Sequence, residues 1–231
     1  MLLGSQALVN DPYYNDVVLH LRGYDATSGQ TFKDYSKYNR TITANGNVAH
    51  STTQKKYGNS SIYFDGNGDY LSVPDSNDFT FDGDFTIETW IYQTATPSVS
   101  GTFAGHWFYG IASNCSWVAE ITPSNNIRFS YGIGSVNSGV VSSTTITNNS
   151  WNHIAFSRSG TSFKMFINGI ERGAATISGS LNNCPNVFRV GSGDGDISHN
   201  AGYFFTGYLD DVRITRRARD IVVPTQPFSN W

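Results

Sequence analysis

Residues 57–92 read YGNSSIYFDGNGDYLSVPDSNDFTFDGDFTIETWIY, with short runs of β-forming residues alternating with clusters of Gly, Asn and Asp. Such punctuation predicts two strands joined by a turn, followed by a longer third strand. In that third strand Phe85, Ile87, Thr89 and Ile91 face one way, while Thr86, Glu88, Trp90 and Tyr92 face the other, since successive strand side chains point to opposite faces. A Trp, a Tyr and a carboxylate thus share one sheet surface. The arrangement suggests a binding face.

Turn signals recur along all 231 residues, with no Pro/Ser-rich linker and no long window of apolar residues at helical spacing. One all-β domain is expected, since a sandwich of roughly 200–250 residues commonly forms a single unit. With 39% hydrophobic and 14% aromatic residues, the composition can fill its core. The predicted organisation is an N-terminal tail over 1–14, a domain over 15–216 and a C-terminal tail over 217–231.

Fifteen basic against 18 acidic residues leave a net charge of -3, too little positive field to favour nucleic acid as a partner. The basic cluster Arg213, Arg216, Arg217 and Arg219 is interleaved with Asp210, Asp211 and Asp220, as on an ordinary charged edge. No apolar run approaches the roughly 18 residues of a membrane span, and residues 1–14 lack the basic start and apolar stretch of a signal peptide. Cys115 and Cys184 lack the paired spacing of a zinc site and read as two isolated thiols, with a disulfide as the alternative if the fold brings them together.

Along the chain, VVLHL at Val17–Leu21 opens as an apolar strand, and TITANGN over 41–47 ends in an Asn-Gly turn. Shorter elements are expected around 107–111, 117–121, 127–131 and 140–146. WNHIAFSR then alternates Trp151, His153, Ala155 and Ser157 against Asn152, Ile154, Phe156 and Arg158. Turns at 159–162 and at Asn168-Gly169 carry it into two further strands, and YFFTGYLDDVRI over 203–214 closes the chain as a long terminal strand.

Taken as a set, YGNSSIYFDGNGDYLSVP, DFTIETWIY, SWNHIAFSRSG, FKMFINGI and GYLDDVRITRRAR resemble the laminin-G-like (LamG-like) members of the concanavalin A-like jelly-roll superfamily, over nearly the whole chain. The resemblance is closest to versions borne on bacteriophage virions. It implies an all-β fold: a two-sheet antiparallel jelly-roll sandwich with a concave face and rim loops that carry ligands. Asp220 stands where those relatives have an aromatic residue.

Enzymatic chemistry finds little footing. The glucanases of this superfamily need two neighbouring carboxylates, but the ExDxxE signature is absent and Glu88, Glu120 and Glu171 fall on different elements. No GxSxG elbow and no HExxH pair occurs, and the five histidines are scattered. Catalytic residues are therefore not expected.

Two loops have the oxygen ligands that suit calcium, which LamG-like domains hold at the rim. These are Asp65-Gly-Asn-Gly-Asp69 and Asp194-Gly-Asp196, although Asp-Gly and Asn-Gly are also what tight turns require. For carbohydrate, whose apolar faces stack on aromatic rings, the candidates are Trp107, Phe108 and Tyr109 in GHWFYG, then Tyr203, and Trp90 with Glu88.

The leading expectation is a non-enzymatic phage virion component, either a capsid decoration or a tail-associated attachment protein. It would be made in the host cytoplasm and would contact other virion proteins, symmetry mates or a host-surface glycan. The terminal tails are apolar enough to dock on a partner or to fold back onto the sandwich. The alternatives are a free lectin-like carbohydrate-binding protein and, less favoured, a glycoside hydrolase.

Overall fold

The computed structural model of the protein describes residues 11–108, 111–193 and 203–229. Its strands in chain order are β1 (Val17–Leu21), β2 (Thr43–Asn45), β3 (Ala49–Ser51), β4 (Ser61–Asp65), β5 (Tyr70–Val73), β6 (Phe85–Gln93), β7 (Gly101–His106) and β8 (Trp117–Ile121). There follow β9 (Asn126–Ile133), β10 (Val136–Thr145), β11 (Trp151–Ser159), β12 (Ser162–Ile167), β13 (Ile170–Thr176), β14 (Phe188–Val190) and β15 (Thr206–Thr215). They form two antiparallel sheets, one of eight strands in the order β13-β12-β11-β6-β15-β4-β3 with β1 beside β15, the other of seven in the order β10-β9-β8-β7-β14-β5-β2.

Alternation within the strands builds the core. Phe85, Ile87 and Ile91 of β6, Ile154 and Phe156 of β11, and Leu209 and Ile214 of β15 face inward from the eight-stranded sheet. They meet Trp117, Ala119 and Ile121 of β8 and Phe129 of β9. Burying these large apolar side chains is the main stabilising contribution, each worth roughly 1.5–3 kcal/mol relative to exposure. Phe129 packs on Phe163 at 4.8 Å and on Phe156 at 5.0 Å between ring centroids, so rings from both sheets interdigitate.

The expected meander from β11 through β13 is present, with the turns at 159–162 and Asn168-Gly169 joining antiparallel neighbours. Two other turns behave differently. The Asp65–Asp69 loop reads as a hairpin, yet β4 pairs with β3 and β15 in one sheet while β5 pairs with β2 and β14 in the other. The Asn45-Gly46 turn likewise separates β2 from β3, again on opposite sheets. Both are corners that carry the chain across the sandwich.

Asp69 fastens these two corners together. It is fully buried; one carboxylate oxygen accepts the Asn47 amide, and the other accepts the Asp65 amide at 2.9 Å. Gly46 sits against it at φ 71, where a Cβ would lie 2.5 Å from the Asp69 carboxylate. Only glycine meets both demands at this position.

The element expected at 107–111 lies one step earlier, as β7 over Gly101–His106. Gly101 and Gly105 weaken the strand signal there, but a Cβ at Gly105 would crowd Val118 at 3.1 Å, so the glycine is what lets β7 and its covering residues pack closely. The C-terminal segment does not stand apart as a tail. Thr86 donates to the Arg217 carbonyl at 2.8 Å and accepts the Arg219 amide at 2.9 Å, and the Phe228 amide reaches Asp211 at 2.9 Å. Residues 217–229 fold back onto the eight-stranded sheet.

Removing the fastening at the corners should be costly. D69A is expected to lose about 2–3 kcal/mol, since two amides lose a buried acceptor, while D65A, whose carboxylate accepts the exposed Asn67 amide, should lose less than about 1 kcal/mol. Urea unfolding midpoints at unchanged slope distinguish the two, and equal losses would refute the corner assignment.

Candidate functional site

The outer face of the eight-stranded sheet, turned away from its partner sheet, gathers aromatic and charged side chains. Three cross-strand pairings place four rings in a row: Tyr63 of β4 opposite Tyr208 of β15, Tyr208 opposite Tyr92 of β6, and Tyr92 opposite Trp151 of β11. Ring centroids are 4.9 Å apart for Tyr63 and Tyr208, 5.8 Å for Tyr208 and Tyr92, and 5.6 Å for Tyr92 and Trp151. Tyr63, Tyr92 and Trp151 are half-buried while Tyr208, between its neighbours, is 7% exposed. The row runs across the strands, with successive rings tilted or edge-to-face.

Further along β6 the same face becomes polar. Trp90 lies beneath Lys56, whose ammonium is 3.7 Å from the ring centroid, and beside Tyr57 and His153 at 6.2 and 5.2 Å. Two residues on, Glu88 bonds Arg213 at 2.7 Å; Arg213 also bonds Asp11 at 3.2 Å, and Asp11 is clasped by both terminal nitrogens of Arg219 at 2.9 and 2.7 Å. Residues 222–229 and Tyr13 lie over this network and line a solvent-open cavity of about 380 Å³ beside it.

The expected site residues thus divide between the two outer faces. Glu88 and Trp90 do share the predicted face, but they are 3% exposed each, covered by the returning C-terminal segment and by Lys56 and Tyr57 respectively. Trp107, expected to be exposed, is 6% exposed and packs with Cys115 and Val118 on the other sheet. Phe108 is half-buried beside it, and Tyr203 is half-buried next to β7, where its carbonyl accepts the Thr102 amide at 3.0 Å. Tyr109 lies outside the described residues. The aromatic row was missed because, apart from Tyr92, its members are single residues in separate strands, and the register that aligns them joins positions far apart in sequence.

The calcium expectation meets an occupied donor set. Both Asp69 oxygens and one Asp65 oxygen accept backbone amides, so these carboxylates serve the corner. Asp194 and Asp196 lie outside the described residues, among which no group of three or more His, Cys, Asp and Glu side chains is arranged to hold a metal.

Glu88 and Asp11 on this face are each held by guanidinium partners. A glycosidase acid needs a raised pKa. Burial alone would raise Asp11, but hydrogen bonds from Arg219 and the Tyr13 amide, with the charges of Arg219 and Arg213, hold it below the usual carboxylate range. Glu120 is committed to Arg128 at 2.8 Å, and exposed Glu171 pairs with Lys164 at 2.8 Å.

Residues 65–220 match the family model Laminin_G_3, described as the concanavalin A-like lectin/glucanases superfamily. No curated protein sequence matches the chain. Among solved structures, the binding domain of Paraclostridial Mosquitocidal Protein 1 is similar at TM-score 0.67 and 17% identity, over 90% of this chain and 50% of that one. The binding domain of botulinum neurotoxin serotype D gives TM-score 0.64 and 16% identity over 90% and 50%. Domain 4 of AbnA, a GH43 extracellular arabinanase from Geobacillus stearothermophilus solved with arabinotriose, gives 0.65 and 20% over 88% and 93%. The chain spans about half the length of the two toxin domains, and at these identities the likeness shows the fold.

His153 makes this face sensitive to pH. It is fully buried, its ring nitrogens make no hydrogen bond, and its Nε2 lies 3.7 Å from Glu88. Burial depresses it from 6.5 to about 4, with Glu88 opposing and Arg213 and Lys56 adding to the shift. The folded state therefore binds fewer protons than the unfolded state, and its stability is complete above pH 6.5 and is lost as pH falls toward 4. The stability of wild type relative to H153Q should drop by on the order of 2–3 kcal/mol between pH 7 and pH 4, read from urea unfolding at each pH. A pH-independent difference would contradict the neutral buried imidazole.

Proposed function

The chain belongs to the concanavalin A-like lectin/glucanases superfamily, and on that premise we propose that it is a non-enzymatic carbohydrate-binding module whose contact surface is the row Tyr63, Tyr208, Tyr92 and Trp151. The observation that carries this reading is the row itself. Four rings at successive spacings of 4.9, 5.8 and 5.6 Å, set by strand pairing on a rigid sheet, form a preorganised platform. Sugar rings present apolar C–H faces to such a platform, while their hydroxyls stay in water or meet the tyrosine hydroxyls. Preformed contacts spare the ordering cost that a loop-borne site would incur. The similar AbnA domain was solved with an arabinose oligomer and one of the similar toxin binding domains with a sialyl ligand, which supports glycan as the ligand class.

The absence of catalysis in this proposal rests on the commitment of Glu88, Asp11 and Glu120 to guanidinium partners. A place on a virion, where the module would meet a host-surface glycan, extends the same binding activity; its support is the sequence resemblance to phage-borne domains.

A glycan array followed by titration of the best-bound oligosaccharide tests the proposal. Y92A and W151A should each weaken binding about tenfold with melting temperature nearly unchanged, and the bound glycan should be recovered uncleaved. Absence of binding to any glycan, or full affinity in both variants, would overturn the row as the contact surface.

A further inference from the structure

The cavity of about 380 Å³ roofed by residues 222–229 is separate from the aromatic row: Lys56 and Tyr57 cover Trp90 between them, and the Tyr57 hydroxyl ties that cover to the roof by donating to the Pro224 carbonyl at 2.8 Å. We propose that this cavity is a second binding site, for a small neutral polyhydroxylated ligand such as a single sugar residue.

Its chemistry selects by elimination. Anions are disfavoured because both guanidiniums are already neutralised: Asp11 clasps Arg219 and shares Arg213 with Glu88, and with Asp220 the lining holds three carboxylates against two guanidiniums. Organic cations are disfavoured because the aromatic walls are taken: Arg213 lies 3.6 Å from the Phe228 centroid, and Arg217 and Arg219 lie 5.0 and 5.1 Å from that of Tyr13.

A wholly apolar occupant would strand polar atoms. Glu88 and Arg213 line the cavity, and the nearest basic neighbour of the second oxygen of Glu88, His153, lies at 3.7 Å, beyond hydrogen-bond reach. A polyol satisfies all three conditions. Its hydroxyls donate to Glu88 and accept from Arg213, and its C–H surface lies against Pro224, Pro227 and Phe228. The volume is at the lower end of the range for small-molecule sites.

The valine methyls of Val222 and Val223 line the cavity and report on it directly. With these methyls isotope-labelled, D-glucose, D-galactose and L-arabinose are each titrated to roughly 100 mM, the range suited to millimolar affinity, and followed by NMR. At least one sugar should shift both signals to saturation, equally in wild type and in the Y92A/W151A double variant, and about tenfold more weakly in E88Q. If E88Q melts early, transfer between sugar ring protons and the Val222 or Val223 methyls in wild type decides instead.

Failure of all three sugars to shift the signals would overturn the site, as would shifts that vanish in Y92A/W151A. Shifts produced by sodium phosphate or tetramethylammonium but by no sugar would overturn the ligand class. Loss of oligosaccharide binding in the double variant with the methyl response intact would separate this site from the row.

Discussion

The structure depends on a break in regularity within β15, the strand that pairs with three others. β15 pairs with β6 along one side, and along the other it pairs first with β4 and then with β1. The handover falls at Asp210 and Asp211, where the pairing to β6 is bulged and Asp211 adopts φ 48. A left-handed non-glycine residue costs free energy unless its surroundings hold it, and here they do. Asp210 accepts amides from Gly23, Tyr57 and Asp211, while Asp211 takes the Phe228 amide and faces His20 and Tyr24. Burial, with the charge of Asp211 added, pushes Asp210 up to about 8 against those amides. Two adjacent carboxylates thereby fix the opening loop, the Tyr57 segment and the returning C-terminal segment on one strand.

From that fixed strand the arrangement of the outer face follows. Tyr208 precedes the bulge and joins the aromatic row; Arg213 follows it and enters the ion network under the roof. The bulge shifts phase, so that both ends of β15 present the side chain each zone needs. An aromatic row and a cavity lie on one sheet because a single strand changes step between them.

The parts of this arrangement that were legible in the sequence are those set by local alternation. DFTIETWIY and WNHIAFSR announced which residues face the core and which do not, and Glu88, Trp90 and His153 lie on the outer face as their parity requires. Legibility ended where partner choice began. Asp-Gly and Asn-Gly specify a tight reversal but not whether the reversing strand stays in its sheet, so the corners around Asp69 looked like hairpins. Exposure was equally hidden. Whether Trp90 meets solvent is decided by Lys56 and Tyr57, and whether Glu88 does by residues 222–229, all remote along the chain, while Trp107 is buried by the packing of Cys115 and Val118.

The position of β15 also has a consequence for how the protein comes into being. A strand made late in synthesis lies in the middle of the eight-stranded sheet, so β6 and β4 emerge from the ribosome with open edges that no earlier segment can cover. Completion waits until residue 215 has been made, and the pairing of Val17 with Thr215 closes a loop of nearly the whole domain. Folding of such non-local topology is slow, and during that interval the half-finished sheet is the species most open to pairing with another nascent chain.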